Sequence, residues 1–203
     1  MATDRLLMLP ALRREHRDLA YIRRWSIMRL QHQQNVAEHS FYVALYAQNL
    51  STALGISPGE TAYITHLALW HDIEEVWTGD IPGPAKRLFA TDWEERVDAH
   101  FEQRFGFKRP KPNSEQQRMI LKVAGLIDEC MFLAGEMQTG NQAVRHVYDR
   151  TTRRLQTALS GLFDRGVPFH LRAIDEIWNA IEAERSEGSG ILTDTDNDLG
   201  GAK

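Results

Sequence analysis

The most constraining stretch of the chain is Leu67-Ala68-Leu69-Trp70-His71-Asp72-Ile73-Glu74-Glu75-Val76-Trp77-Thr78-Gly79-Asp80. An apolar run leads directly into a His-Asp pair, two glutamates and a Gly-Asp turn. Burying so many ionisable groups is costly unless their charge is compensated, and a metal cation compensates it effectively. We therefore interpret this stretch as part of a metal site centred on His71 and Asp72.

Composition restricts the classes of protein that can carry such a site. The chain has 203 residues, enough for one domain with a single core, and 42% of them are hydrophobic. Its formal charge of -4 argues against a broad surface for polymeric nucleic acid. Cys130 is the only cysteine, so no intramolecular disulfide can form. The N-terminus has no signal-peptide pattern, and no apolar run approaches the ~20 residues of a membrane span. These features predict a cytoplasmic protein without a membrane anchor.

Hydrophobic periodicity predicts an all-α fold, because alternating β-branched runs are missing. The expected boundaries are one domain over residues 1–185 and a disordered tail over 186–203, which is rich in Gly, Ser, Asp and Thr. One helix is expected from Val36, with an apolar face that includes Phe41 and Leu45. Further helices are expected from Ser57, over 92–105 as a charged surface helix, from Ser114 to about Met137, over 142–163 and over 168–184.

Three segments place metal-type side chains on or beside these helices: Glu38-His39, His71-Asp72 and Asp128. Two imidazoles with two carboxylates suit Mn, Fe, Co, Zn or Ni better than calcium. Adjacent helical positions point about 100° apart, so His71 and Asp72 can share an ion only near a helix end. Without a metal, the histidines would be hydrogen-bonded core residues, and the spacing alone leaves both interpretations open.

The order His39, His71-Asp72, Asp128 resembles the H…HD…D motif of the HD-domain metal-dependent phosphohydrolases. Further blocks are similar to the bacterial 5′-deoxynucleotidases of that superfamily: Arg24-Trp25, Asn35-Val36-Ala37-Glu38-His39-Ser40, His71-Asp72-Ile73-Glu74-Glu75-Val76, Thr78-Gly79-Asp80-Ile81-Pro82 and Lys86. The resemblance covers residues 18–137. It implies a single-domain HD-domain helical bundle and an enzyme that removes phosphate from 2′-deoxynucleoside 5′-monophosphates.

The resemblance also implies a metal centre and two catalytic acids. One divalent ion (cobalt, manganese or zinc) would be held by the four motif residues His39, His71, Asp72 and Asp128. Glu75 matches the catalytic acid/base position and, on a helix continuing from Asp72, would share its side. Asp80 matches a second acid, which would take the complementary proton-transfer role or position water. Glu74 is expected to be the solvated neighbour.

Substrate contacts follow from the same resemblance. Arg24 and Lys86 would hold the phosphate, the first through paired donors and the second as a point charge. Trp25 would press against the deoxyribose, so that a 2′-hydroxyl would be crowded and unpaired. A homodimer is implied as well, and the helices near 142–163 and 168–184 contain enough apolar residues to pack in pairs.

Two alternatives stay open. The first is a deoxynucleoside triphosphohydrolase of the dATP type in the same superfamily; the absence of a long basic phosphate-binding loop favours monophosphates. The second is a non-catalytic helical nucleotide-sensing or interaction module with a structural metal. The additional acids Glu75 and Asp80 argue against it, because a purely structural site has no use for them.

Overall fold

The structure is a computed structural model that describes residues 14–86, 88, 92–163 and 168–186. Its regular elements are helices, and the described residues contain no strand beyond an isolated bridge between Arg23 and Asn35. The helices are α1 (Glu15–Asp18), α2 (Val36–Ala53), α3 (Pro58–Trp70), α4 (Glu75–Thr78), α5 (Gly83–Lys86), α6 (Trp93–Phe105), α7 (Glu115–Gln138), α8 (Arg145–Leu162) and α9 (Pro168–Ser186). The all-α prediction is therefore confirmed.

Helix α2 begins at a capping box. The Asn35 side chain accepts from the Glu38 amide, and the Glu38 carboxylate accepts from the Asn35 amide. The expected start at Val36 is correct, but the expected apolar face is wrong at two positions. Phe41 is 55% exposed and Leu45 is 41% exposed, because the buried stripe of this helix is formed mainly by smaller residues such as Val43 and Ala47.

Helix α7 is the central element of the core. Ser114 caps its start by accepting from the Gln117 amide at 3.2 Å, as the sequence predicted. Its inward face includes Ile120, Val123 and Leu133, all inaccessible to solvent. Helices α2, α3, α8 and α9 pack around it. A side chain on α7 can therefore be buried among several elements at once.

A smaller apolar cluster lies under the turn that follows α3. It contains Leu19, Val36, Ile73, Phe101 and Phe105. Helix α6 was expected to lie on the surface because many of its residues are charged. It instead buries an apolar stripe of residues spaced four apart, since this spacing places them on one side of the helix.

The chain between Arg24 and Gln34, called the 24–34 loop below, returns to its starting point before α2 begins. The Arg24 amide donates to the Gln34 carbonyl at 3.0 Å, and the Val36 amide donates to the Ile22 carbonyl at 3.0 Å. These bonds bring the first and last side chains of the loop together at the start of α2.

Residues 1–13 and 187–203, the two ends of the chain, are not among the described residues. Residues 187–203 are nearly all of the expected tail, so the division at 185/186 stays a prediction. Among the described helices, none is long and apolar enough to cross a membrane.

Candidate functional site

The end of helix α3 brings the His-Asp pair together with a histidine from α2. The helix ends at Trp70, and the chain turns through the next four residues. His71 Nε2 lies 3.0 Å from Asp72 Oδ2 and 3.3 Å from His39 Nε2. One ligand atom from each of His39, His71 and Asp72 lies within 4.8 Å of the others. His71 and Asp72 can face one point because α3 ends just before them. This agrees with the expectation that the two residues share an ion only near a helix end.

The hydrogen bond at His71 Nδ1 turns the other ring nitrogen of His71 towards His39 and Asp72, and the pKa values of the two histidines shift in opposite directions. The Nδ1 atom of His71 lies 2.6 Å from the Ala68 carbonyl, which only accepts, so Nδ1 carries a proton and Nε2 faces the group. Burial lowers the pKa of His39. Burial also acts to lower the pKa of His71, but the Asp72 carboxylate outweighs it, so that pKa is raised. Two ring nitrogens and a carboxylate oxygen in close contact form a donor set that suits a divalent ion.

Asp128 lies on the other side of the His39 ring. The residue is 3% exposed, and its Oδ2 lies 2.5 Å from His39 Nδ1, the nitrogen that faces away from His71. Gln34 Nε2 donates to the same oxygen at 2.9 Å. A carboxylate behind a metal-binding histidine fixes the orientation of the ring and raises its basicity. The structure therefore brings Asp128 to the site, and direct coordination by Asp128 stays a prediction.

Arg24 lies beside this histidine and acid. Its Nη1 atom is 2.6 Å from His39 Nδ1 and 3.4 Å from Asp128 Oδ2. The same nitrogen donates to Gln34 Oε1 at 3.0 Å, and Trp25 Nε1 donates to that oxygen at 3.0 Å. Gln34 thus links the two predicted substrate residues to Asp128. Sequence reasoning missed Gln34, because it lies in a polar connector with three other amide side chains (Gln31, Gln33 and Asn35).

Trp25 has an unusual backbone conformation. Its φ is 63°, in the left-handed region that non-glycine residues rarely adopt. Its amide donates to Asp80 Oδ2 at 2.9 Å, and its indole stacks on Phe132 with centroids 5.8 Å apart. Backbone strain of this kind persists where the surroundings hold it, often at functional sites. Asp80 therefore supports the position of Trp25, while its predicted proton-transfer role stays a prediction.

The two adjacent glutamates have different surroundings. Glu75 is 2% exposed and begins the short helix α4. The helix expected to continue from Asp72 to Glu75 is interrupted by a turn, which the Glu75 amide closes by donating to the Asp72 carbonyl at 3.0 Å. Glu74 was expected to be solvated, but it pairs with Arg109 at 3.1 Å. That prediction is wrong because α6 and its following segment cover this side of the turn. Lys86 ends α5, and its side chain lies outside the described part of the structure.

A cavity of about 660 Å³ opens beside Arg24, Trp25 and Asp80. Its lining also includes Arg150 and Arg154 of α8. Glu129 pairs with arginines from both segments, at 3.9 Å from Arg24 and 3.5 Å from Arg154. Burial raises the pKa of Glu129. No sequence pattern distinguishes Glu129, Arg150 and Arg154, because charged positions are ordinary on amphipathic helices.

Comparison with known proteins identifies the family. Residues 14–91 match the YfbR-like 5′-deoxynucleotidases. A 5′-deoxynucleotidase of Vibrio atlanticus is 30% identical over 161 residues, which cover 68% of this chain and 78% of that protein. The chain belongs to the 5′-deoxynucleotidase family. A dATP triphosphohydrolase of Salmonella phage PMBT28 is 45% identical over a shorter segment of 73 residues. This segment covers 32% of the chain and 38% of the phage protein.

Solved structures agree on the fold of this 5′-deoxynucleotidase-family member. The HD phosphohydrolase of cyanophage S-2L, bound to dA and one catalytic Zn²⁺ ion, superposes with a TM-score of 0.60 at 21% identity, covering 83% of this chain and 95% of that chain. An HD-domain phosphohydrolase of Listeria innocua gives a TM-score of 0.61 at 20% identity, covering 83% and 86%. The predicted HD-domain helical fold is therefore confirmed.

Proposed function

We propose that the chain is a divalent-metal-dependent phosphohydrolase that removes phosphate from 2′-deoxynucleoside 5′-monophosphates. The observation that carries this proposal is the convergence of His39, His71 and Asp72 beside Arg24-Trp25 in a chain of the 5′-deoxynucleotidase family. We place the reaction in the cytoplasm, in agreement with the composition and the single cysteine.

The proposed metal residues are His39, His71 and Asp72, with Asp128 completing the set. The ion, when bound, supplies the positive charge and the water activation typical of hydrolytic metal centres. Cobalt, manganese and zinc all suit a mixed nitrogen and oxygen donor set. Zinc is the first to test, because the cyanophage HD phosphohydrolase is bound to one catalytic Zn²⁺ ion.

Arg24 is proposed to hold the phosphate. Its side chain is 11% exposed, and it contacts the histidine–aspartate pair and lines the cavity. A planar guanidinium presents paired donors that match phosphate oxygens. Gln34 and Glu129 keep the guanidinium in place from two directions. The leaving nucleoside can then lie in the cavity, against Trp25.

Three further side chains complete the proposed site. Glu75 handles the proton, either by orienting the attacking water or by protonating the departing 5′-oxygen. Trp25 sets the sugar preference, because a rigid indole stacked on Phe132 leaves a 2′-hydroxyl without space or a hydrogen-bond partner. Lys86 is a further phosphate contact in this proposal.

A deoxynucleoside triphosphohydrolase is the second candidate. The phage relative that supports it matches a short segment, whereas the monophosphate relative matches most of the chain. The two activities yield different products, orthophosphate from one and tripolyphosphate from the other. We therefore place monophosphate hydrolysis first. A non-catalytic module is the least supported reading for a member of this family.

One experiment tests the proposal directly. Protein loaded with zinc, cobalt or manganese is incubated with dAMP, AMP and dATP, and orthophosphate and tripolyphosphate are measured separately. We expect orthophosphate from dAMP and at least tenfold less from AMP. The absence of orthophosphate from every deoxynucleoside monophosphate, with each of the three metals, contradicts the proposal. Equal rates on dAMP and AMP contradict only the role of Trp25.

A homodimer is also proposed. Of the two helices expected to pair, α9 exposes one large apolar side chain among its described residues, Leu171. The apolar residues of α8, such as Leu155 and Leu159, are buried within the chain and cannot pair two copies. Helix α2 instead exposes Phe41, Tyr42 and Leu45. Clustered exposed apolar side chains are typical of protein–protein contact surfaces. We therefore propose that α2 forms the dimer interface.

A further inference from the structure

The cavity beside Arg24 contains more cationic groups than one phosphate needs. Besides Arg24, its wall contains Arg29, Arg150 and Arg154. The same lining contains two carboxylates, those of Asp80 and Glu129, so the four guanidiniums outnumber them. The chain as a whole carries a formal charge of -4, so composition does not explain this local excess of positive charge. Such a concentration of one sign attracts anionic ligands.

Helix α8 supplies two of these cations in a fixed arrangement. Arg150 and Arg154 are four residues apart and therefore lie on one side of the helix, about 6 Å apart along its axis. Val147, one turn earlier, lines the same cavity. The adjacent Arg153 is exposed and is not among the lining residues. The arrangement suits an elongated anion that contacts successive turns of the helix.

The cavity arginines differ in how far their charge is already neutralised. Arg154 pairs with Glu129 at 3.5 Å, and Glu129 is shared with Arg24. Asp80 already accepts from the Trp25 amide. For Arg29 and Arg150, the described part of the chain offers no ion pair. Their charge is therefore available to a ligand in the cavity.

We propose that Arg29, Arg150 and Arg154 form a subsite for the outer phosphates of a deoxynucleoside triphosphate. The position of the first phosphate, beside Arg24, rests on the function proposed above. The apolar wall, which includes Met28 and Val147, accommodates the nucleoside. A cavity of about 660 Å³ falls within the 300–1,000 Å³ typical of ligand pockets. The triphosphate then competes with the monophosphate for one cavity, and the family assignment alone does not predict this competition.

The test compares dAMP and dATP as ligands of the full-length, metal-loaded protein. Calorimetry gives the affinity for each nucleotide, and orthophosphate release from dAMP in the presence of dATP gives an inhibition constant. Hydrolysis of dATP to tripolyphosphate releases no orthophosphate, so the second measurement reports the monophosphate reaction alone. We expect dATP to bind at least tenfold more tightly than dAMP.

Substitution of the cavity arginines identifies the subsite. Arg150→Ala is expected to reduce the ratio of the affinities for dATP and dAMP to threefold or less. Arg29→Ala is expected to lower the same ratio. Arg153→Ala is the matched control on the same helix and is expected to keep both the preference and the rate on dAMP. Because Arg150 and Arg153 are both exposed, their truncation leaves the core intact.

The outcomes separate the subsite from the proposed activity. Equal affinities for dAMP and dATP, or equal effects of Arg150→Ala and Arg153→Ala, would overturn the subsite. Chelation of the metal by the triphosphate affects both variants alike and cannot produce a difference between them. Tripolyphosphate that competes as well as dATP would identify a free polyphosphate as the ligand and overturn the nucleotide assignment. If the unmodified protein does not hydrolyse dAMP, the proposed function is contradicted, but calorimetry still tests the subsite.

Discussion

Asp80 can act in two ways, and its hydrogen bond from the Trp25 amide makes them separable by experiment. Asp80→Asn keeps an oxygen that can accept from that amide, but its side chain can no longer gain or lose a proton. If Asp80 positions Trp25, we expect kcat/KM for dAMP to stay within about threefold of the unmodified protein. Asp80→Ala removes the acceptor, which costs ~1.5–3 kcal/mol, and is expected to lower kcat/KM by about tenfold or more.

A loss above about 100-fold in Asp80→Asn is the outcome expected for proton transfer instead. The ratio of rates on dAMP and AMP provides a second measurement. A positioning role predicts that this ratio falls in Asp80→Ala and is kept in Asp80→Asn, because only the former releases the Trp25 backbone from its left-handed conformation.

The adjacent glutamates form a natural matched pair. Glu75→Gln is expected to lower kcat by at least about 100-fold, since a general acid or base contributes 10²–10⁴-fold, without a change in metal content or Tm. Glu74→Gln removes a charge from the pair with Arg109, both of whose side chains are largely buried. It is expected to lower the free energy of unfolding by ~1–3 kcal/mol and to leave kcat nearly unchanged. Full activity in a folded, metal-loaded Glu75→Gln protein removes Glu75 from the mechanism.

At the scale of elements, one side of α7 connects the parts of the site. Asp128, Phe132 and Glu136 recur every four residues and so lie on one side of the helix. They contact His39, the Trp25 indole and the backbone of the 24–34 loop, respectively. The position of α7 in the core thus sets the position of the substrate residues.

Glu136 is the buried anchor of the 24–34 loop. Its carboxylate accepts from the Gln31 amide at 2.8 Å, the His32 amide at 2.6 Å and the Asn141 side chain at 2.6 Å. Burial acts to raise the pKa of this carboxyl, but the hydrogen bonds outweigh it, so the pKa is lowered from its usual 4.5. A lowered pKa means that the carboxylate stabilises the fold above about pH 4.5 and that this contribution is lost as the pH falls through the folded-state pKa.

Glu136→Gln is therefore expected to lower the free energy of unfolding by ~1–3 kcal/mol at pH 7. The difference from the unmodified protein should close as the pH falls below about 4.5. Urea titrations at several pH values measure both quantities. Glu115→Gln, at an exposed pair with Arg118 on the same helix, is the control and should have little effect at any pH. A difference that persists unchanged at pH 3 contradicts the account.

At the scale of the whole molecule, the dimer proposal makes a direct prediction. Phe41→Asp and Leu45→Asp place charges on the exposed apolar face of α2, and we expect the protein to change from dimer to monomer. Size-exclusion chromatography with light scattering measures the mass. Gln48→Asp introduces the same charge at another exposed position of α2 and should leave the mass unchanged. A monomeric unmodified protein, or dimers in both variants, contradicts the choice of this face.

Much of the fold could be predicted because it depends on local periodicity and caps. Asn35 and Ser114 start helices where their side chains accept from the third following amide, and such signals are contained within four residues. Burial was harder to predict. The exposure of Phe41 and the pairing of Glu74 depend on which distant elements cover them, and no short pattern encodes that.

The candidate site likewise has residues that the sequence could predict and residues that it could not. The order and spacing of His39, His71 and Asp72 carried the resemblance, and the structure brings all three together. Gln34 acts through contacts with residues 10 and 94 positions away in the chain. Arg150 lies in the cavity because α8 packs against α7. The roles of Gln34 and Arg150 depend on which residues lie near them in the folded chain, and the residue type at one position does not reveal this.

The 24–34 loop is held at both ends and at its middle. Its ends meet through the Arg24 amide and the Gln34 carbonyl, while Asp80 and Glu136 hold the Trp25, Gln31 and His32 amides. The conformational entropy of ordering these residues is therefore lost during folding and is not lost again when a nucleotide binds. Affinity at this site consequently depends on the stability of the loop, so substitutions far from the nucleotide that loosen it should weaken binding without removing any contact with the ligand.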